Sequence, residues 1–169
     1  MSASGAFTVV RTPGLHDFDG NGAPELLVRG GDGRARALDV IFDAAAGELG
    51  SPREAPFGRD VDWRAYDRLE SVGDIAGKHL ADVVARDRSG VLWLHQGAGD
   101  LAHPLLDRVR VGGGWNTYDK LAGGSDLTGD GRTYLVATDR TGVLWLYPAT
   151  GNAKAPLSAR KRVGGCRSV

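Results

Sequence analysis

The acidic turn at residues 17–25 carries the side chains best suited to metal chemistry. Its sequence, DFDGNGAPE, places oxygen-bearing side chains at positions 1, 3, 5 and 9, with Gly22 at position 6. Calcium takes about 6–8 oxygen ligands, which alternate residues of a tight loop can supply, and glycine permits the sharp turn. The turn therefore predicts a Ca²⁺ site, with a hydrogen-bonded Asp/Asn turn that holds no ion as the alternative. The predicted ligands are Asp17, Asp19, Asn21, Glu25 and the backbone carbonyl of Ala23.

Two later turns resemble this loop but are less complete. The turn that begins at Asp126 has a second carboxylate at Asp130, but Tyr134 stands at position 9. Asp126 and Asp130 are candidate ligands for a weakly held Ca²⁺, and a loop without an ion is the alternative. The turn that begins at Asp74 has Lys78 at position 5. We expect no metal there, because the lysine ammonium would take the place of the cation.

A second recurring element combines aromatic rings with polar side chains. The pattern Trp-x-x-Tyr-Asp occurs at residues 63–67 and again at 115–119. Rings that stack on sugar faces, beside Asp or Asn side chains that bind hydroxyls, would form a carbohydrate site. The alternative, which we favour for Trp93 and Trp145 in their apolar strands, is that the rings fill the space between layers. The candidate binding residues are Trp63, Tyr66, Asp67, Trp115, Asn116, Tyr118 and Asp119.

Residues that would support catalysis form no convincing motif. The four histidines, His16, His79, His95 and His103, are scattered and lack the spacing of zinc ligands. The sequence contains no Gly-x-Ser-x-Gly nucleophile motif. Residues 97–102 match a dinucleotide fingerprint in spacing, but no helical pattern follows them. We therefore predict that the protein is not an enzyme.

The composition indicates one globular domain, residues 1–169, of 17.8 kDa. Lys plus Arg and Asp plus Glu number 21 each, so the net charge is zero. This excludes the basic footprint of a nucleic-acid or anionic-membrane protein, and no apolar stretch approaches the ~20 residues of a membrane span. The 26 glycines indicate many tight turns. The single cysteine, Cys166, cannot form a disulfide within the chain; it is either a free thiol or a link between chains.

The chain contains an internal repeat. Residues 82–94, DVVARDRSGVLWL, correspond to residues 134–146, YLVATDRTGVLWL, at an offset of 52. A degenerate first copy aligns Asp17 with Asp74 at an offset of 57. Each copy predicts a strand, a turn with glycine at positive φ and a second strand, while the alanine-rich residues 43–49 are predicted to be a loop insertion. The predicted units are 17–73, 74–125 and 126–169.

The second strand of each unit is apolar on both faces, because Trp93 and His95 alternate with Leu92 and Leu94. Such a strand is expected to lie between two layers. A period near 50 residues, with about four short strands per unit, is typical of a β-propeller blade. We therefore predict an all-β fold of four-stranded blades, about three per chain.

Three blades do not close a ring, since propellers usually have about 4 to 8. The chain ends within a repeat motif, where Cys166 stands in place of Gly114. Residues 1–16 contain the apolar segment 7–10, which predicts a closing strand for this last blade. We infer that residues 1–16, the head of one chain, pair with the C-terminal end of another chain. A homo-oligomer is expected, most simply a dimer that forms a six-blade ring, with a partner protein that completes the ring as the alternative.

The repeat resembles the FG-GAP/VCBS family of integrin-type β-propeller repeats, in the form found in secreted actinobacterial proteins. The resemblance rests on DLTGDG at 126–131, GVLWLYP at 142–148 and VGGGWNTY at 111–118, and it covers nearly the whole chain. It implies a Ca²⁺-stabilised extracellular propeller that binds glycans or proteins, although no signal peptide is visible in this chain. We expect a lectin-like module, with an adaptor for a partner polypeptide or the targeting domain of a secreted hydrolase as alternatives.

Overall fold

The fold is all-β in the described part of a computed structural model of the chain. Antiparallel strands form three separate sheets and one small hairpin, accompanied by two short 3₁₀ helices. None of the described helices is long and apolar enough to cross a membrane. The described residues are 15–39, 42–43, 45–50, 53–58, 61–100 and 103–165.

The first sheet contains three strands. β1 (Glu25–Arg29) pairs with β2 (Ala35–Asp39). The chain then forms a hairpin from β3 (Phe42–Asp43) and β4 (Glu48–Leu49), at the place where the sequence predicted a loop insertion. It returns as β5 (Arg53–Phe57), which pairs with the other edge of β2.

The second sheet is a four-stranded meander that follows a 3₁₀ helix at Trp63–Ala65. Its strands pair in chain order, each antiparallel to the next. The strands are β6 (Tyr66–Gly73), β7 (Asp82–Asp87), β8 (Leu92–His95) and β9 (Val109–Gly112).

The third sheet repeats this arrangement at an offset of 52 residues, beginning with a 3₁₀ helix at Trp115–Thr117. Its four strands again pair in chain order. They are β10 (Tyr118–Gly124), β11 (Tyr134–Asp139), β12 (Val143–Pro148) and β13 (Lys161–Gly165).

The turn between β7 and β8 is held by one carboxylate. Asp87 accepts hydrogen bonds from the backbone N–H groups of Ser89 (2.9 Å) and Val91 (3.0 Å) and from the indole N–H of Trp93 (2.9 Å). Gly90 has φ +84°, a conformation that favours glycine. Because the indole is anchored to its own hairpin, Trp93 serves to brace this turn and to pack between sheets.

The core consists of two apolar clusters, one on each side of the second sheet. In β7, Val83 and Ala85 belong to the cluster shared with the first sheet, whereas Val84 belongs to the cluster shared with the third. In β8, Leu94 lies in the latter cluster and Trp93 packs against the former. The prediction that the second strand of the repeat lies between two layers is confirmed for β8.

The sheets and the sequence units have the same period but different starting points. β6 ends at Gly73, immediately before the unit that begins at Asp74, so the second and third acidic turns each precede the second strand of a four-stranded sheet, whereas the first precedes β1 of the three-stranded sheet. The third sheet has its four strands within residues 118–165 and does not need the head to complete it. Most of the predicted closing strand at 1–16, and Cys166, lie outside the described residues.

Candidate functional site

The first acidic loop leads directly into β1. The carboxylate of Asp17, which is 4% exposed, accepts hydrogen bonds from the N–H groups of Gly20 (2.8 Å) and Gly22 (3.1 Å). Both glycines have positive φ, +77° and +89°, where other residues are strained. The Asp-x-x-Gly-x-Gly spacing therefore winds the backbone around one buried carboxylate.

Glu25 completes this loop and is fully buried at the start of β1. One of its carboxylate oxygens accepts a hydrogen bond from the N–H of Phe18 (2.8 Å), whereas Oε1 has no partner among the described residues. Carboxylate oxygens of Asp17, Asp19 and Glu25 lie within 4.8 Å of one another. Burial, together with the nearby charges of Asp19, Asp17 and Asp39, raises the pKa of Glu25 to about 7 despite the hydrogen bond from Phe18. A cation would offset this repulsion and give Oε1 a partner.

The other two predicted ligands lie on the same loop. The side-chain amide of Asn21 donates to Asp19 (2.9 Å), and its oxygen accepts a hydrogen bond from the N–H of Ala23 (2.6 Å). The structure thus brings the three carboxylates of the prediction together. The Asn21 oxygen is engaged with the backbone, so it would have to exchange that bond for an ion.

The second loop fills the equivalent position with a satisfied carboxylate. Asp82 corresponds to Glu25 at the offset of 57, and it is also fully buried. Its oxygens accept hydrogen bonds from the N–H groups of Ile75 (2.9 Å), Ala76 (2.9 Å) and Gly97 (3.0 Å). The hydrogen-bond partners of this carboxylate are therefore backbone amides and not the ammonium of Lys78, which was predicted to replace the cation. Lys78 is exposed.

The third loop fills that position with a phenol. Tyr134, which is 2% exposed, donates to Asp130 (2.8 Å) and shares a 2.7 Å hydrogen bond with the hydroxyl of Thr128. Asp126 accepts hydrogen bonds from four backbone N–H groups, at residues 128–131. Hydrogen bonds therefore close this loop within itself, and Asp126 and Asp130 are exposed.

The predicted aromatic residues of the first set lie in the core. Trp63 is 1% exposed and Tyr66 3%. The Trp63 ring contacts Phe57, Tyr66 and His95, and its indole N–H donates to the carbonyl of Phe57 (2.8 Å). Burial assigns these rings to the packing between the first two sheets, which was the alternative to sugar stacking.

The second set is arranged in the same way. Trp115 and Tyr118 are 7% and 4% exposed, and both rings contact Tyr147. The hydroxyl groups of Tyr118 and Tyr147 are 2.5 Å apart, and the Arg160 guanidinium lies over Trp145 and donates to the Tyr118 hydroxyl. This cluster is closed by its own hydrogen bonds.

Of the polar candidates, Asp67 has a structural partner. It forms a two-point hydrogen bond with the buried Arg86 (2.9 and 2.8 Å), which holds the pKa of Asp67 below its usual range. Arg86 also donates to the carbonyls of Trp115 and Tyr118, so it links the second sheet to the third.

Asn116 and Asp119 are exposed at the edge of the third sheet. Arg68 donates to the backbone carbonyl of Asp119 (3.0 Å), and Arg140 lies 3.8 Å from its carboxylate. The side chain of Asn116 lies against the turn at Gly90, so closely that a Cβ there would be 2.8 Å from its amide carbon. The predicted binding residues therefore do not converge on one surface.

A cavity of about 500 Å³ opens where the chain passes from the first sheet to the second, and among the described residues of its wall only Tyr66 was predicted to bind a ligand. Its wall includes Tyr66, His95 and Arg108. Arg108 lies over the Trp93 ring, 4.2 Å from its centroid, and donates to the Tyr66 hydroxyl (2.7 Å). The offset of 52, which aligns His95 with Tyr147 and Arg108 with Arg160, is the signal that could have identified them.

His95 is the polar group of this wall that lacks a partner. It is 1% exposed, and its Nε2 has no hydrogen bond among the described residues. Burial, and secondarily the charge of Arg108, lowers its pKa to about 4, so the imidazole is neutral at pH 7. A larger cavity of about 680 Å³ beside Phe57 is lined by Arg36 and Glu54, which already pair with each other (2.5 Å). The cavity whose wall includes His95 therefore offers the better polar site.

Neither the protein-family models nor the curated proteins contain a match to this chain.

Proposed function

We propose that the protein is a Ca²⁺-stabilised binding module of the β-propeller type that recognises carbohydrate and performs no catalysis. The observation that carries the proposal is the cavity of about 500 Å³ where the chain passes from the first sheet to the second, with Tyr66, His95 and Arg108 among the residues of its wall. Small-molecule sites are typically concave, about 300–1,000 Å³ in volume, and carry a few placed polar groups.

The propeller assignment, of the FG-GAP/VCBS type, is supported by the repetition of the sheets. The second and third sheets share their strand order, preceding 3₁₀ helix and arginine–tryptophan stack. Each sheet packs face to face with its neighbour through an apolar cluster, as propeller blades do. The family resemblance adds secretion to this proposal.

The proposed ring is completed by a second copy of the chain. Leu26 and Val28 on β1 are 57% and 43% exposed, whereas Val83 and Ala85, their counterparts in β7, are fully buried against a neighbouring sheet. The outer face of β1 therefore presents apolar residues at the positions where the second sheet makes a sheet-to-sheet contact. A sheet of the same type, supplied by a second copy, is its natural partner.

The proposed Ca²⁺ site is the first acidic loop. Its carboxylates at Asp17, Asp19 and Glu25 are close together, and the unpartnered Glu25 oxygen is buried among them. Hard oxygen donors on a tight loop suit Ca²⁺, which would fix the loop against the start of β1. Asp126 and Asp130 remain weaker candidates, since Tyr134 already bonds to Asp130.

A glycan array probed with the full chain, in Ca²⁺ and again in EDTA, tests the proposed function. We expect binding to a restricted group of glycans in Ca²⁺. An array without signal from folded, Ca²⁺-loaded protein would contradict carbohydrate recognition.

A polypeptide partner is the second candidate function, and the exposed apolar face at Leu26 and Val28 is the observation that favours it. In that case the partner, rather than a second copy, would cover this face. An affinity capture that recovers one partner at equal stoichiometry, and loses it when Val28 is replaced by Glu, would favour this function over the lectin.

A further inference from the structure

At three corresponding positions of the two interfaces between sheets, one residue differs. Tyr66, His95 and Arg108 in the first interface correspond, at the offset of 52, to Tyr118, Tyr147 and Arg160 in the second. In the second interface the Tyr147 hydroxyl lies 2.5 Å from the Tyr118 hydroxyl, which Arg160 also contacts. In the first, an imidazole replaces that phenol.

The replacement leaves polar groups with unused hydrogen-bonding capacity. An imidazole is shorter than a phenol and carries no hydroxyl, and the His95 Nε2 has no hydrogen bond among the described residues. The Tyr66 hydroxyl accepts a hydrogen bond from Arg108, so its own hydrogen is available to donate. Both residues lie in the wall of the cavity.

We propose that a hydroxyl group of a bound saccharide takes the place of the Tyr147 hydroxyl in the first interface, bonded to His95 Nε2 and Tyr66. The chain then carries one open saccharide site, between the first and second sheets, while its own tyrosine closes the equivalent site between the second and third. This inference rests on the proposed carbohydrate-binding function and assigns its site.

The chemistry of the wall favours an uncharged hydroxyl over a charged group. The imidazole is neutral at pH 7, because burial lowers its pKa to about 4. A neutral ring offers Nε2 either as one N–H donor or as one acceptor, and a hydroxyl can satisfy either form. The Arg108 charge already lies over Trp93 and contacts Tyr66, as Arg160 does at the closed site.

The chain itself supplies a matched pair of variants, His95→Tyr and Tyr147→His. Each places in one interface the residue that the other interface already contains, so both are compatible with the fold; circular dichroism and the melting temperature would verify this. The probes are the methyl glycosides of glucose, galactose, mannose, N-acetylglucosamine and fucose, titrated into the full-length Ca²⁺-loaded protein. The readouts are the ¹⁵N resonance of His95 Nε2 and the binding stoichiometry.

We expect at least one glycoside to shift the His95 Nε2 resonance in the wild type. His95→Tyr should weaken its binding by about tenfold or more, the effect of losing one good hydrogen bond and the space for the sugar. Tyr147→His should add a second site per chain.

Glycan binding on the array that is unchanged by His95→Tyr would overturn this inference and leave the lectin function intact. A His95 resonance that no glycoside shifts, as expected if only an ordered water fills the gap, would overturn it as well. The absence of binding to any glycan would contradict the proposed function and this site together.

Discussion

At the level of single residues, one position explains the differences among the three acidic loops. Glu25, Asp82 and Tyr134 occupy equivalent places, and all three are buried. Asp82 accepts three backbone hydrogen bonds, and Tyr134 bonds to two side chains of its own loop. Glu25 has one oxygen without a partner among the described residues. We therefore propose a cation only at the first loop, where the described residues do not supply all the hydrogen bonds.

Replacement of Glu25 by Gln should remove the effect of Ca²⁺ on stability. If Ca²⁺ binds at this loop, about 100-fold excess over Kd stabilises the wild type by about 2.7 kcal/mol, or roughly 5–10 °C in Tm for a chain of this size. We expect Glu25→Gln to lose most of this increase, and the matched variant Asp82→Asn to retain it from a lower starting Tm. Scanning calorimetry in Ca²⁺ and in EDTA measures both. A wild-type Tm that is the same in both buffers would rule out the site.

The buried imidazole of His95 should make the protein less stable in mild acid. Its pKa is about 4 in the folded chain against 6.5 in the unfolded one, so between these values the unfolded chain binds more protons. The free energy of unfolding should therefore fall as the pH drops from about 6.5 to 4, by up to about 3 kcal/mol.

Denaturant titrations of the wild type and His95→Tyr, at pH 7 and pH 4.5, isolate this contribution. The other titratable or charged groups of the cavity wall are Tyr66, Arg108, His103, Asp62 and Asp107, and they are common to both proteins. Asp82, whose pKa burial raises to about 6, acts in the opposite direction in both. Between pH 7 and pH 4.5 we expect the free energy of unfolding to fall more for the wild type than for His95→Tyr. Equal pH dependence of the two proteins would show that His95 is not buried as a neutral ring.

At the level of secondary structure, local sequence predicted the hairpins of the repeat and the two covered faces of β8, but not the burial of the segments between the sheets. The Asp-Arg-Ser-Gly turn and the alternating strand after it follow from spacing alone, and the alternation of Leu94 with Trp93 placed them on opposite faces correctly. Whether a second layer covers a face depends on distant segments. For this reason the Trp63 and Trp115 rings, which lie in 3₁₀ helices, offered a sugar-stacking interpretation although both are buried.

The same limit explains the missed part of the candidate site. The three carboxylates of the first loop are close in sequence and could be predicted as a group. His95 and Arg108 are brought to Tyr66 by the folding of the second sheet, and an isolated histidine in a strand carries no such information. Comparison of the repeats position by position, rather than motif by motif, is what distinguishes His95 from Tyr147.

Arg86 should be the side chain that most strongly links the second and third sheets. It is 5% exposed and joins Asp67 to the carbonyls of Trp115 and Tyr118. Replacement by Met leaves these acceptors without a donor, so we expect the free energy of unfolding to fall by about 3 kcal/mol. This is the lower end of the range for breaking a buried ion pair, because Asp67 is partly exposed. Replacement of the half-buried Arg68 by Met, which removes hydrogen bonds to the carbonyls of Asp67 and Asp119, should cost less, about 1 kcal/mol. Urea titration of both variants measures the difference, and equal losses would contradict this role.

At the level of the whole molecule, the sheets at the two ends differ from the one in the middle. β7 is covered on both faces, by Val83 and Ala85 packing toward the first sheet and Val84 toward the third. Among the described residues, β1 packs against the second sheet through one face, and Leu26 and Val28 on its other face are exposed. Terminal members of repeat arrays usually carry a polar outer face, so the exposed apolar residues of β1 support the proposed contact with a further sheet. Because closed rings avoid exposed end faces, association of two chains is the simplest arrangement.

This arrangement predicts a Ca²⁺-loaded protein with twice the chain mass of 17.8 kDa in light scattering after gel filtration. Replacement of Val28 by Glu places a charge in the proposed contact, and the variant should elute as a monomer while remaining folded, because the residue is solvent-exposed in the isolated chain. Leu127, equally exposed but on the third acidic loop rather than on a sheet face, provides the control: Leu127→Glu should leave the mass unchanged. A wild type that stays at 17.8 kDa across the micromolar range would mean that a different polypeptide covers β1. Dissociation of both variants would instead place the contact outside the sheet faces.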